Sequence, residues 1–71
     1  MSGRDADPTL RWFAFDHLPD DLQQVSEPLA LLAHDMADRL PDSPELSAGL
    51  RKLLEAKDCF VRAAVDARGQ R

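Results

Sequence analysis

Cysteine and histidine are scarce in this sequence of 71 residues, which has one cysteine, Cys59, and two histidines, His17 and His34. A single cysteine cannot form a disulfide within the chain, and one free thiol is typical of a reducing compartment. A closed zinc site needs about four ligands at tight spacing, so these scattered residues predict no metal. Because so short a chain seldom gains more than about 3–5 kcal/mol from its own core, we expect copies of it to associate.

Long apolar runs are also missing. No stretch approaches the roughly 20 apolar residues that a membrane-spanning helix needs. The first residues, MSGRDADPTLRW, lack the apolar segment of a signal peptide. We therefore expect a soluble, cytoplasmic protein that has no membrane partner.

The sequence motifs of common catalytic sites are absent as well. The chain has no glycine-rich phosphate loop, no paired-cysteine motif and no recognisable Ser/His/Asp arrangement. The prediction is a protein that is not an enzyme, with no catalytic residue and no cofactor.

Charge is unevenly distributed along the chain. Residues 1–50 carry a net charge of −7, residues 51–71 carry +3, and the whole chain carries −4. An acidic protein is a poor partner for long DNA or RNA, because such binding draws on many phosphate contacts. A small anion held by a local basic cluster remains compatible with this distribution, as does a plain solvated surface.

The first half of the chain predicts an arm followed by a helix. Residues 1–11 are polar and predict a disordered or extended N-terminal arm. The aromatic block at 12–15 (WFAF) should lie across the helices or dock on a neighbouring subunit. Helix A is predicted from about 19 to 40, since an apolar residue recurs every three or four positions, at Leu22, Val25, Leu29, Leu32, Met36 and Leu40. Pro28 should kink this helix rather than start a new one.

The second half predicts a short loop and a longer helix. Asp42 and Glu45 have the spacing of a capping box. Helix B should run from about 44 to 68, with residues 69–71 as a tail after it. A connection this short makes the two helices antiparallel neighbours. The predicted fold is thus all-α, a two-helix hairpin domain over residues 12–68.

Helix B has more apolar surface than helix A can cover. One line of it contains Leu46, Leu50, Leu53, Phe60 and Ala64, and a second contains Leu54, Val61 and Val65. A helix that is apolar on several sides is buried on several sides. We therefore predict a homo-oligomeric helical bundle, with an interface that includes Leu54, Phe60, Val61, Val65 and Trp12. The alternative is that the N-terminal arm covers helix B within one chain.

Two cations on helix B lie among apolar residues. Lys57 falls on the Leu53–Phe60 line, where it either reaches water past its apolar stem or points into a shared cavity. Arg62 either joins ion pairs with Asp58 and Asp66 at i,i+4 spacing or is presented between subunits, where its planar fork suits phosphate oxygens.

Three segments carry a family resemblance: residues 15–19 (FDHLP), 32–34 (LAH) and, most specifically, 50–63 (LRKLLEAKDCFVRA). Over about residues 12–66 the chain resembles small bacteriophage proteins with the hairpin domain of anti-CBASS and anti-Thoeris cyclic-nucleotide sponges.

The resemblance implies a homo-oligomer, commonly a hexamer, that captures a cyclic di- or trinucleotide or a cyclic ADP-ribose isomer between subunits without cleaving it. It implies action in the cytoplasm of the infected bacterial host. Arg62 matches the arginine of the family's second helix, and Phe15 falls where an aromatic ring stacks on a base. Lys57 and Arg51 complete the expected ligand-binding set. Residues 28–31 offer no lysine where sponges of this type place one half-way along the first helix.

Overall fold

The computed structural model describes residues 8–69, which form three helices and no strand. A 3-10 helix spans Pro8–Phe13, α1 spans Asp20–Arg39, and α2 spans Pro44–Gly69. The all-α prediction is confirmed. Residues 1–7 of the predicted arm and 70–71 of the predicted tail lie outside the described residues. No helix between 8 and 69 is long and apolar enough to cross a membrane.

The two long helices begin and end close to their predicted bounds. Asp20 and Asp21 occupy the first turn of α1, where negative charge interacts favourably with the helix dipole. Pro28 lies inside α1, which continues through it to Arg39 as one helix. Leu40 is extended (φ −115°, ψ 143°) because Pro41 disfavours helical geometry in the residue before it. The hairpin turn therefore occupies residues 40–43.

The cap of α2 differs from the predicted capping box of Asp42 and Glu45. Ser43 is the capping residue: its Oγ accepts a hydrogen bond from the Leu46 N–H at 3.0 Å. The reason is Pro44, which suits the first helical position through its fixed φ and its missing N–H. The helix consequently begins at Pro44, one residue later than a cap at Asp42 would place it.

Residues 8–11 correct the prediction of an extended arm. They belong to the 3-10 helix, whose Leu10 and Phe13 are buried in one cluster with residues of α1 and α2. A 3-10 helix has three residues per turn, so positions i and i+3 lie on the same side. Leu10 and Phe13 therefore face the core together, and this short helix is an integral third element of the fold.

The buried face of α1 also differs from the predicted line of large residues. Its buried positions are mostly small and consist of Leu22, Ser26, Ala30, Ala33 and Ala37. Leu32 and Leu40, which were predicted to be in the core, are 43% and 47% exposed. Small side chains at the contact let α1 and α2 approach closely. Larger apolar side chains such as Leu32 and Leu40 lie at the edges of this contact and stay partly exposed.

Ser26 is completely buried, and its Oγ has no hydrogen-bond partner among the described residues. A buried polar group without a partner costs free energy of desolvation, about 1–3 kcal/mol. We expect Ser26→Ala to raise the free energy of unfolding by about 1 kcal/mol, measured by urea denaturation. Ser47→Ala, on α2, is the control. The prediction is contradicted if Ser26→Ala raises the free energy of unfolding by no more than Ser47→Ala does.

An ion pair joins the open end of the hairpin. Arg68, near the end of α2, donates two hydrogen bonds to Asp21, at the start of α1, over 2.6 and 2.7 Å. The pair shows directly that the two helices are antiparallel. The hydrogen bond from Arg68 holds the pKa of Asp21 below its usual range.

This ion pair predicts a pH dependence of stability. A carboxyl group whose pKa is lower in the folded state stabilises the fold above its unfolded pKa, near 3.9, and loses that contribution as the pH falls further. We expect Asp21→Asn to lower the melting temperature at pH 7 and to have little effect near pH 2. Thermal unfolding monitored by circular dichroism checks this, with Asp20→Asn as control. If Asp21→Asn lowers the melting temperature by the same amount at pH 7 and at pH 2, the prediction is contradicted.

Candidate functional site

A pocket of about 490 Å³ lies between the amino-terminal segment and the second half of α2. We call it the Trp12 pocket; its lining is Arg11, Trp12, Ala14, His17, Leu18, Lys57, Asp58, Val61 and Arg62. Ligand pockets in proteins have volumes of about 300–1,000 Å³. The Trp12 pocket falls within this range, and it is formed by one chain.

The aromatic wall of the pocket is presented by the 3-10 helix. Phe13 is completely buried, whereas its neighbour Trp12 is 58% exposed. Successive residues of a 3-10 helix point about 120° apart, so anchoring Phe13 in the core turns Trp12 outward. The Arg11 guanidinium lies 5.2 Å from the centre of the Trp12 ring, within the range of a cation–π contact. An aromatic surface and a cation are thus presented together.

Lys57 lies on the opposite wall, on α2. Its side chain is only 13% exposed, and its Nζ is 3.0 Å from Asp58 Oδ1. The sequence leaves two alternatives for Lys57: its ammonium group reaches water past the apolar stem, or it points into a shared cavity. In the single chain Lys57 lines the Trp12 pocket, and its ammonium group is paired with Asp58.

Arg62 differs from Lys57 because it has no carboxylate partner among residues 8–69. The ion pairs with Asp58 and Asp66 at i,i+4 spacing, one of the two alternatives for Arg62, are not formed, and Asp58 pairs with Lys57 instead. Within residues 8–69 the polar contact of Arg62 is with Cys59 Sγ, at 3.5 Å from Nη2. A guanidinium with five donors and one weak acceptor retains most of its capacity to bind an anion.

Two of the predicted ligand-binding residues do not line this pocket. Phe15 is half-buried and packs against the core cluster, so its ring has a structural use within the chain. Arg51 is exposed on α2, eleven residues or about 16 Å along the helix from Arg62. Lys57 and Arg62, which the sequence predicts as ligand-binding residues, line the pocket; Arg11 and His17 line it without having been predicted, and Trp12 lines it although it was predicted for an interface. The adjacency of Arg11 and Trp12 was the available signal.

The predicted interface residues fall into two groups. Leu54 packs against the core and Val61 lines the Trp12 pocket, so both have contacts within the chain. Phe60 is 53% exposed and Val65 is 43% exposed, so about half of each residue is left uncovered by the chain itself. These two residues and Trp12 remain available for an interface with another molecule.

A second cavity, of about 540 Å³, lies on the other side of the hairpin near its turn. We call it the apolar groove; its lining includes the exposed Gly49 and the large apolar residues Leu32, Met36, Leu40, Leu46, Leu50 and Leu53. A β-carbon added at Gly49 would meet no atom within 4 Å. The groove is therefore open at Gly49, and among the described residues that line it Glu45 is the charged one.

Residues 8–69 contain no group of three or more His, Cys, Asp or Glu side chains that could hold a metal ion. Comparisons with protein-family models, curated proteins and solved structures find no match for this chain.

Proposed function

We propose that this chain is a homo-oligomeric phage protein that binds a cyclic nucleotide immune signal and sequesters it, without cleavage, in the cytoplasm of the infected bacterium. The observation that carries the proposal is the Trp12 pocket. It combines an exposed indole ring with Arg11, Lys57 and Arg62, in a chain whose net charge is negative. The family resemblance of residues 12–66 supports the same ligand class.

The pocket chemistry matches one base-and-phosphate unit. An aromatic face stacks on a nucleobase with about 1–3 kcal/mol per base, and Trp12 offers such a face. The guanidinium of Arg62 suits two phosphate oxygens at once, and Lys57 adds a point charge. Because Lys57 is already paired with Asp58, Arg62 is the principal phosphate ligand in this proposal.

The remainder of a cyclic di- or trinucleotide extends beyond this unit towards a neighbouring subunit. The Trp12 side chain, which lines the pocket, is 58% exposed in the chain by itself. A neighbouring copy that covered it would complete the pocket, in line with the predicted binding between subunits. Phe15 and Arg51 are left out of the proposed contacts because they do not line the pocket.

A thermal-shift screen tests the proposed function. The probes are cyclic dinucleotides, cyclic trinucleotides and cyclic ADP-ribose isomers. A ligand that binds only the folded state stabilises it by RT ln(1 + [L]/Kd), about 2.7 kcal/mol at one hundred times Kd. We expect at least one probe to raise the melting temperature and to be recovered chemically intact by chromatography. No shift at millimolar ligand, or recovery of a cleaved product, would contradict the proposal.

The apolar groove favours a second candidate function, a non-enzymatic helical module that regulates a partner protein. Grooves of this type accept the apolar face of a helix. In that case the probes would produce no shift, and the groove would stay open in the purified protein. Binding of an apolar fluorescent dye, reduced by Leu53→Asp but not by Trp12→Ala, would favour the module.

A further inference from the structure

The apolar groove and the exposed Phe60 lie along the same side of α2. Residues three or four apart on a helix share a face, and such a line connects Gly49, Leu53, Ala56 and Phe60. Small and large side chains alternate along this line. Gly49 and Phe60 are separated by eleven residues, or about 16 Å along the axis.

Two copies of this line fit each other when the helices are antiparallel. A two-fold axis beside residues 54 and 55 brings Phe60 of one chain opposite Gly49 of the other. The same axis brings Leu53 opposite the partner copy's Ala56. Each large side chain then meets a small one, and both contacts occur twice. An interface of this kind is self-complementary, as two-fold symmetry requires.

Charge does not select this arrangement. The hairpin turn carries Asp42 and Glu45, and the open end carries Asp66 beside the Arg68–Asp21 pair, so both ends are acidic. The match of large to small side chains along α2 is the observation that identifies a second copy as the occupant.

We infer that the apolar groove is the docking site for Phe60 of a second copy of this chain, through reciprocal antiparallel pairing of the α2 helices. This inference rests on the proposed function only in that it specifies how copies of the chain associate, and it does not depend on nucleotide binding. Phe60 would enter the groove at Gly49, where the structure leaves open space, and would contact apolar lining residues such as Leu32 and Leu53.

Disulfide trapping tests the pairing directly. In a Cys59→Ser background, Gly49→Cys and Phe60→Cys cannot bond within one chain, because a disulfide requires α-carbons within about 7 Å. Because Phe60→Cys removes the side chain that docks, mild oxidation of the full-length protein is run at high protein concentration. We expect this pair to give several times more covalent dimer than its control on a non-reducing gel. The matched control combines Gly49→Cys with Glu55→Cys, which lies on a different side of α2, and should stay mostly monomeric. Equal crosslinking of both pairs, or none in the first, would overturn the inference.

A size exchange provides the second test. Gly49→Phe should block the groove, Phe60→Ala should empty it, and each should shift the equilibrium towards smaller species in sedimentation velocity. The double variant places a large side chain opposite a small one again, so it should recover association relative to Gly49→Phe by tenfold or more. The single variants should fold, since position 49 has open space and position 60 is exposed.

The outcomes separate this inference from the proposed function. Failure of the trapping and of the exchange, with nucleotide binding intact, would remove the α2 pairing and leave the sequestering function standing. Successful trapping, with no thermal shift from any probe, would establish the pairing and remove the nucleotide.

Discussion

Replacing Phe13 with alanine should leave the chain largely unfolded at 25 °C. The Phe13 side chain is completely buried, in a cluster with Leu10, Ala33 and Leu50. Truncation of a buried phenylalanine costs about 3–5 kcal/mol, which equals the whole stability that so short a chain gains from its core. The 3-10 helix should detach, and both long helices should then lose the contacts that hold them together.

Far-UV circular dichroism and urea titration of Phe13→Ala would measure this loss. Trp12→Ala is the matched control: it removes a larger aromatic side chain from the adjacent position, but one that is 58% exposed. We expect this control to change the free energy of unfolding by less than about 1 kcal/mol. Equal effects of the two substitutions would mean that the 3-10 helix is not part of the core.

The long helices could be predicted from sequence because their signals are local. Apolar spacing, the acidic first turn of α1 and Pro41 after its end all act within a few residues. The packing of α1 could not be predicted in the same way. Its alanines carry little hydrophobic signal, yet Ala33 is completely buried and Leu31 is 61% exposed. Which side faces α2 depends on how closely the helices approach, and that is a tertiary property.

The 3-10 helix was missed for a related reason. Pro8 and the polar residues before it indicate irregular structure, and two apolar residues three apart are too few for a periodic pattern. The Trp12 pocket could be predicted only in part. Lys57 and Arg62 are conspicuous as charges on an apolar helix. Whether Trp12 or Phe15 presents the exposed ring depends on which aromatic residues pack into the core. Phe13 is buried in the core and Phe15 packs against it, so Trp12 is the ring left exposed.

Arg62→Ala should strongly reduce the thermal shift caused by a bound cyclic nucleotide while leaving the oligomer intact. A hydrogen bond to a charged group is worth about 1.5–3 kcal/mol, and Arg62 has no carboxylate partner within residues 8–69 to offset its loss. The expected weakening of binding is therefore about 10- to 100-fold. Isothermal titration calorimetry measures the affinity, and sedimentation velocity checks that the oligomer persists. If the oligomer dissociates instead, Arg62 has a structural role between subunits.

Arg51→Ala is the control that separates a specific contact from a general effect of charge. Both substitutions remove one positive charge from α2, so any long-range attraction of the ligand falls by a similar amount. Such attraction is screened within about 10 Å at 0.1 M salt, whereas a direct guanidinium–phosphate contact is screened much less. At that salt concentration Arg51→Ala should retain nearly the full affinity. Equal losses for the two variants would show that charge alone draws the ligand to α2, and that the Trp12 pocket does not select it.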